Sequence, residues 1–150
     1  MTSGGHNYSV SLHDEQGANS TALLVEFLLN RNLQSHHAPI TLAQKISRPV
    51  AILDTNTGRS CTVVFGPEGA VVYNQLVGQP AVIITASLDQ ILNLSQIRVK
   101  AGGLIAVGLR STPGRRLMRD LRARKMVVKG LLRHPATALR AMVLLSTVCP

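Results

Sequence analysis

The fold is decided by residues 50–75, which read VAILDTNTGRSCTVVFGPEGAVVYNQ. Three short apolar runs, Val50–Asp54, Ser60–Phe65 and Ala70–Gln75, are separated by two turns that contain Asn, Gly and Pro. Runs of this length between such turns are typical of β-strands. Because both connections are short, we expect the three strands to form an antiparallel meander.

The chain before this meander divides into a tail and a helical region. Residues 1–18 are polar and contain Gly, Ser and His, so we predict a disordered tail there and a single domain over residues 19–150. Asn19 or Ser20 is suited to cap a helix that continues through the apolar residues that follow. A second, short helix is expected over 41–46, because Pro49 prevents its continuation.

The chain after the meander predicts two further strands and three more helices, one of them opened by Thr112-Pro113. Ala81–Thr85 is the fourth strand, and Ser87 can cap a helix that starts at Leu88. Lys125–Lys129 is the fifth strand. The last helix is expected to begin at or near Pro135, and it has little polar surface.

Positive charge is concentrated late in the chain. Residues 98–140 hold 12 of the 16 Lys and Arg and a single acid, Asp120, whereas residues 1–97 have a net charge of −2. A helix opened by Thr112-Pro113 carries cations on one face, which suggests contact with an anionic membrane. A solvated helix face is the competing interpretation. The candidate membrane contacts are Arg115, Arg116, Arg119 and Arg122.

Composition excludes several functional classes. The chain is 45% apolar but only 3% aromatic, so its interior must be largely aliphatic. Two cysteines, Cys61 and Cys149, do not make a disulfide framework. We find no catalytic residue pair, no metal-ligand spacing and no cofactor motif, so a non-enzymatic protein without cofactor is expected. The apolar stretch 138–148 is too short to span a bilayer, and the first residues lack a signal-peptide core. We therefore expect the protein to be located in the cytoplasm.

Two segments resemble the sterol carrier protein 2 family of lipid-binding domains. They are the strand-to-helix step VIITASLDQIL at 82–92 and the late strand KMVVKG at 125–130. The resemblance follows the element order over residues 20–148. Residues 129–135 followed by an apolar helix resemble the actinobacterial branch of the family. Residues 95–112 depart from the family pattern, which has a shorter link there.

The resemblance implies an α+β fold with a five-stranded, mostly antiparallel sheet, helices packed on one face and an apolar cavity between the layers. It also implies non-catalytic binding of a lipid, such as a fatty acyl chain or a sterol, with intracellular transfer or presentation. The expected partners are the lipid and, transiently, an anionic membrane surface. Burial contributes about 0.8 kcal/mol per methylene, so a lipid with a long alkyl chain could bind without any chemical step.

The candidate cavity lining takes one apolar stripe from each predicted element. For each residue, ordinary core packing is the competing interpretation. The candidates are Leu24, Phe27, Leu28, Cys61, Val63, Phe65, Ile84, Leu92, Leu117, Met118, Leu121, Val128, Leu139, Met142 and Val143.

Two other functions stay open. A ligand-free interaction or accessory module would have a solid core and would dock through the basic and terminal helices. Nonspecific nucleic-acid binding through the Arg115–Arg124 helix is disfavoured, because no aromatic side chains accompany the cations to stack on bases.

Overall fold

A six-stranded sheet forms the centre of the molecule, and helices pack on one of its faces. The computed structural model describes residues 8–35, 37–95, 98–100, 127–130, 132–145 and 147–149. The helices are α1 (Ser20–Ser35), α2 (His37–Gln44), α3 (Leu88–Ser95) and α4 (Pro135–Leu145). The strands are β1 (Ser9–Leu12), β2 (Val50–Asp54), β3 (Ser60–Phe65), β4 (Gly69–Tyr73), β5 (Val82–Ala86), β6 (Arg98–Lys100), β7 (Val127–Lys129) and β8 (Thr147–Cys149).

The strand order in the main sheet is β1-β4-β3-β2-β5-β7. The predicted antiparallel meander is confirmed as β2, β3 and β4. The prediction of five mostly antiparallel strands is wrong, since the sheet has six strands and is mixed. β1 pairs with β4, and β5 with β2, in parallel. The second pairing arises because the chain crosses from β4 to the far side of β2 before it enters β5.

Strand β1 lies within the segment for which disorder was predicted. Ser9 to Leu12 pair in register with Gly69 to Val72, and Tyr8 and Val10 are buried. This strand is only four residues long and is flanked by polar sequence, so its local pattern is weak. Pairing with the edge of β4 supplies the order that the local sequence lacks. A separate two-stranded sheet, β6 with β8, was not predicted.

Side-chain caps define two helix starts as expected. Asn19 Oδ1 accepts a hydrogen bond from Ala22 N at 2.8 Å, which makes Asn19 the cap of α1. Ser87 and Gln90 form a reciprocal capping box at α3, with distances of 3.2 and 2.9 Å. Helix α2 begins at His37, four residues earlier than predicted, because proline is tolerated in a first helical turn.

Helix α1 covers the inner face of the meander and builds most of the core. It contacts β2, β3 and β4 and also packs against α2 and α4. Its buried apolar side chains follow a helical period, and each leucine buried there contributes about 2 kcal/mol. These residues are Ala22, Val25, Leu28, Leu29 and Leu33.

The crossover between β4 and β5 covers part of the outer face of the sheet. Thr62 on β3 is fully buried there. Its hydroxyl donates to Gln75 O at 2.7 Å and accepts from Val77 N at 3.2 Å. One threonine therefore holds the crossover against the sheet.

Candidate functional site

An apolar crevice lies between the sheet and the two helices α1 and α4. Its volume is about 10 Å³. A water molecule needs at least about 10–15 Å³ of such space, so the crevice in this state holds no hydrocarbon chain. The eight lining residues are Val25, Leu29, Val50, Ile52, Val63, Phe65, Ala141 and Leu145.

Each wall of the crevice follows from a local periodicity. Val25 and Leu29 are one helical turn apart on α1, as are Ala141 and Leu145 on α4. The sheet wall comes from alternate residues of β2 and β3, which pair directly at Val50 and Val63. All eight residues are apolar. The crevice can therefore contact an alkyl chain but cannot hydrogen-bond a head group.

Side-chain hydrogen bonds from Asn32 and Arg140 hold α4 against its neighbours. Asn32 of α1, only 3% exposed, donates through Nδ2 to Leu144 O at 2.6 Å. Arg140 donates through Nη1 to Lys45 O, just beyond α2, at 3.3 Å. Separation of α4 from α1 would break the buried amide contact, so this contact favours the closed crevice.

The predicted lining residues fall into four groups. Val63 and Phe65 line the crevice. Leu28, Cys61, Ile84 and Val143 are buried in the core, and Leu24, Val128 and Met142 are half-buried against it. Phe27 and Leu92 are 61% and 42% exposed, so most of each side chain faces solvent. Leu117, Met118, Leu121 and the side chain of Leu139 lie outside the described part of the structure.

Sequence reasoning missed six of the eight lining residues: Val25, Leu29, Val50, Ile52, Ala141 and Leu145. On α1 the predicted stripe centred on Leu24 and Leu28, whereas the buried face is turned toward Val25 and Leu29. The signal was present as the spacing of Val25, Leu29 and Leu33. It was ambiguous because apolar residues surround almost the whole first half of this helix.

A second, larger space lies outside the layers, beside the edge strand β1. This groove has a volume of about 790 Å³ and includes Ser9, Ser11, Gln44 and Glu68 among its walls. Its lining mixes hydroxyl, amide and carboxylate groups with apolar ones. Such a lining is poorly suited to an alkyl chain, which makes no hydrogen bonds.

The buried Cys61 thiol and Asp54 carboxylate differ in their surroundings. Burial raises the pKa of the Cys61 thiol to about 12, against a smaller lowering by a backbone hydrogen bond from Ile52, so the thiolate is disfavoured. The Asp54 carboxylate is buried and accepts from Asn56 N at 3.0 Å and from Thr57 Oγ1 at 2.7 Å. These bonds hold the turn between β2 and β3.

Neither a cluster of metal ligands nor a membrane-spanning helix occurs among the described residues. Among the described residues, no three His, Cys, Asp or Glu side chains are grouped so that they could hold a metal ion. None of the helices in the described ranges is long and apolar enough to cross a bilayer. The predicted membrane contacts Arg115, Arg116, Arg119 and Arg122 lie outside these ranges and stay predictions.

Comparison with solved structures identifies the fold. The chain superposes on a structure described as a UbiJ-SCP2 ubiquinone synthesis protein with a TM-score of 0.56 and 16% identity, over 83% of this chain and 90% of that one. A crystal structure of sterol carrier protein 2 matches with a TM-score of 0.48 and 14% identity, over 85% and 92% of the two chains. No protein-family model and no curated protein sequence matches.

The first of these likenesses shows that the chain has a sterol carrier protein 2-like fold. The resemblance drawn from residues 82–92 and 125–130 is thus confirmed at the level of fold. The finer resemblance of residues 129–135 to the actinobacterial branch stays a prediction.

Proposed function

We propose that this protein binds the aliphatic part of a lipid between the sheet and helices α1 and α4, and carries or presents that lipid without catalysing a reaction. The observation that supports this proposal is the crevice, whose lining residues are all apolar and come from the sheet and from two helices. The fold supports the proposal, because the superposed structure with the TM-score of 0.56 is described as a UbiJ-SCP2 ubiquinone synthesis protein. We expect the protein to act in the cytoplasm.

Binding requires the crevice to widen, since its present volume is about 10 Å³. A sixteen-carbon chain gains roughly 12 kcal/mol of gross burial energy, before the costs of association. Breaking the Asn32–Leu144 hydrogen bond costs about 1–3 kcal/mol. The gross gain is several times this cost, so the Asn32–Leu144 bond by itself does not prevent a ligand from selecting a state in which α4 has moved away from α1.

The test is uptake of palmitate or cholesterol by protein that has been extracted with organic solvent, followed by native mass spectrometry. We expect a one-to-one complex with at least one of these lipids. The purified protein should also carry lipid before extraction. If neither lipid binds and none is carried, the proposal fails.

A matched pair of variants tests the location. Ala141→Leu adds three carbons to the crevice wall, so it should weaken palmitate binding about tenfold, since overpacking costs about 1–3 kcal/mol. Ala136→Leu places the same side chain on the exposed surface of the same helix and should leave binding unchanged. Equal effects of the two substitutions would exclude this crevice as the binding site.

The small volume of the crevice also favours the alternative of a ligand-free interaction module, which requires a filled core. An interaction module of this kind would take up no lipid and would form a constitutive dimer or complex. Light scattering on the extracted protein therefore distinguishes the two functions. Nucleic-acid binding through Arg115–Arg124 rests on the sequence alone and stays a prediction.

A further inference from the structure

Charged residues separate toward the two ends of the central sheet. The basic end is the end at which β2 and β5 begin, and the acidic end is the one at which they finish. Among the described residues, the basic end holds Lys45, Arg48, Lys129, Arg133 and Arg140, with Glu68 as its carboxylate. The acidic end holds Asp14, Glu15, Asp54 and Asp89, with Arg59 as its cation.

Backbone contacts place three separate segments at the basic end. Arg48 precedes Pro49, whose carbonyl accepts a hydrogen bond from Ala81 N at 3.0 Å. Gly130, which follows β7, packs on the same alanine, because a Cβ at Gly130 would clash with Ala81 O. The bond from Arg140 to Lys45 O adds the middle of α4 and the residue that follows α2.

A fixed turn presents a leucine among these cations. Gly130 has a φ of +89° and its carbonyl accepts from His134 N at 2.7 Å, which closes the turn that leads into α4. Leu132 lies at the tip of this turn and is 97% exposed. Lys129 and Arg133, on either side of it, are also exposed. Because Gly130 is packed against backbone, the turn holds the leucine outward.

The crevice lies closer to this end than to the other. Its sheet wall consists of Val50 and Ile52 on β2 and of Val63 and Phe65 on β3. Val50 is the first residue of β2, and Phe65 is the last residue of the antiparallel β3. Lipid that enters from the basic end would therefore meet the apolar wall first.

We propose that the basic end is a docking surface for an anionic lipid bilayer, with Leu132 inserted among the acyl chains and Lys129, Arg133, Lys45 and Arg48 against the head groups. A leucine beside lysine and arginine suits the interface of a bilayer, where apolar and anionic groups lie within a few ångströms. A soluble polyanion could pair with the cations, but it has no apolar region in which the leucine side chain could be buried. This docking does not depend on lipid uptake, so it can succeed or fail separately from the proposed function.

The binding test is flotation with vesicles of phosphatidylglycerol mixed with phosphatidylcholine, and with vesicles of phosphatidylcholine alone. We expect binding to the anionic vesicles only, with a loss at high salt. Lys129→Gln combined with Arg133→Gln should weaken binding about 25-fold, since each cation contributes about fivefold. Arg59→Gln, an exposed cation at the acidic end, is the matched control and should have no effect.

The role of the leucine is tested separately. Leu132→Ser should weaken vesicle binding about tenfold. Leu23→Ser, an exposed leucine on α1 near the acidic end, should leave it unchanged. If the charge variant weakens binding but Leu132→Ser does not, and duplex DNA competes with the vesicles, the surface binds nucleic acid and the proposal is overturned.

Insertion itself can be seen because the chain contains no tryptophan. Leu132→Trp should show a blue-shifted emission on anionic vesicles and quenching by brominated acyl chains, because its side chain enters the bilayer. Leu23→Trp should show neither. A blue shift at both positions, or at neither, would contradict docking through the basic end.

Discussion

The two ends of the central sheet each carry a tight turn with a left-handed glycine, and the two turns are held in different ways. At the acidic end, Gly58 has a φ of +70° with nothing within 4 Å of its missing Cβ, and Asp54 hydrogen-bonds its own turn. At the basic end, Gly130 packs directly on the carbonyl of Ala81. The first turn is a local structure, whereas the second depends on tertiary packing. The conformation of the turn at Gly130 is therefore fixed from outside the turn, whereas that of the turn at Gly58 is fixed from within it.

The largest expected difference between the ends is the response of these glycines to alanine. Gly130→Ala adds a Cβ into backbone atoms and also strains a positive φ, so we expect a loss of about 3 kcal/mol in the free energy of unfolding. Gly58→Ala introduces only the strain of a positive φ, because no atoms lie near the added Cβ. It should lower the free energy of unfolding by about 1 kcal/mol. Urea denaturation of both variants measures the comparison. Equal losses would show that the turn at Gly130 is not fixed by Ala81.

The buried asparagines near the two ends of α1 give the second comparison. Asn32→Ala leaves the buried carbonyl of Leu144 without its amide donor, so it should cost about 2 kcal/mol. Asn19→Ala should cost a similar amount, because it removes the helix cap and donors to Ser60 O and Asn74 O.

Hydrogen exchange separates these two asparagine variants. Asn32→Ala should speed amide exchange in α4, since this residue holds α4 against α1, and it should speed lipid uptake. Asn19→Ala should act at the start of α1 and leave α4 protected. Faster exchange in α4 in both variants would mean that Asn32 has no specific role in closing the crevice.

The smallest expected effect is the loss of stability at mildly alkaline pH. Burial raises the pKa of Cys61 from 9.0 to about 12, so its contribution is fully present below pH 9 and is lost as the pH rises from 9 to 12. At pH 10 the loss is about 1 kcal/mol. Burial also raises the pKa of Tyr8 above 10.0, and its hydrogen bond to Gly66 O lowers that pKa by a smaller amount. The loss of stability from Tyr8 therefore begins at a higher pH than the loss from Cys61.

Urea denaturation between pH 8 and pH 11 (roughly the range over which these groups ionise) measures this loss. Cys61→Ala should flatten the curve from pH 9 upward, whereas Tyr8→Phe should change it only above pH 10. A curve for Cys61→Ala that keeps the slope of the unchanged protein would show that the thiol is accessible to solvent in the folded state.

Much of the fold followed from local sequence, whereas most of the crevice did not. The meander over 50–75 and the cap at Ser87 were predictable because turn chemistry and strand alternation act over a few residues. Strand β1 was missed because four alternating residues carry little local signal. The crevice residues of α1 were missed because an apolar run that surrounds a helix does not specify which side faces the sheet.

The sequence by itself determined the element types between residues 20 and 92, the aliphatic interior and the concentration of cations from residue 98 onward. Only the tertiary structure decided the parallel entry of β5 beside β2, the face of α1 that is buried and the gathering of Lys45, Arg48 and Lys129 at one end of the sheet. The physical reason is the distance along the chain over which each kind of interaction acts. Hydrogen bonds within a turn or a helix are set by neighbours in the chain, whereas strand pairing and packing join residues that only the folded chain brings together.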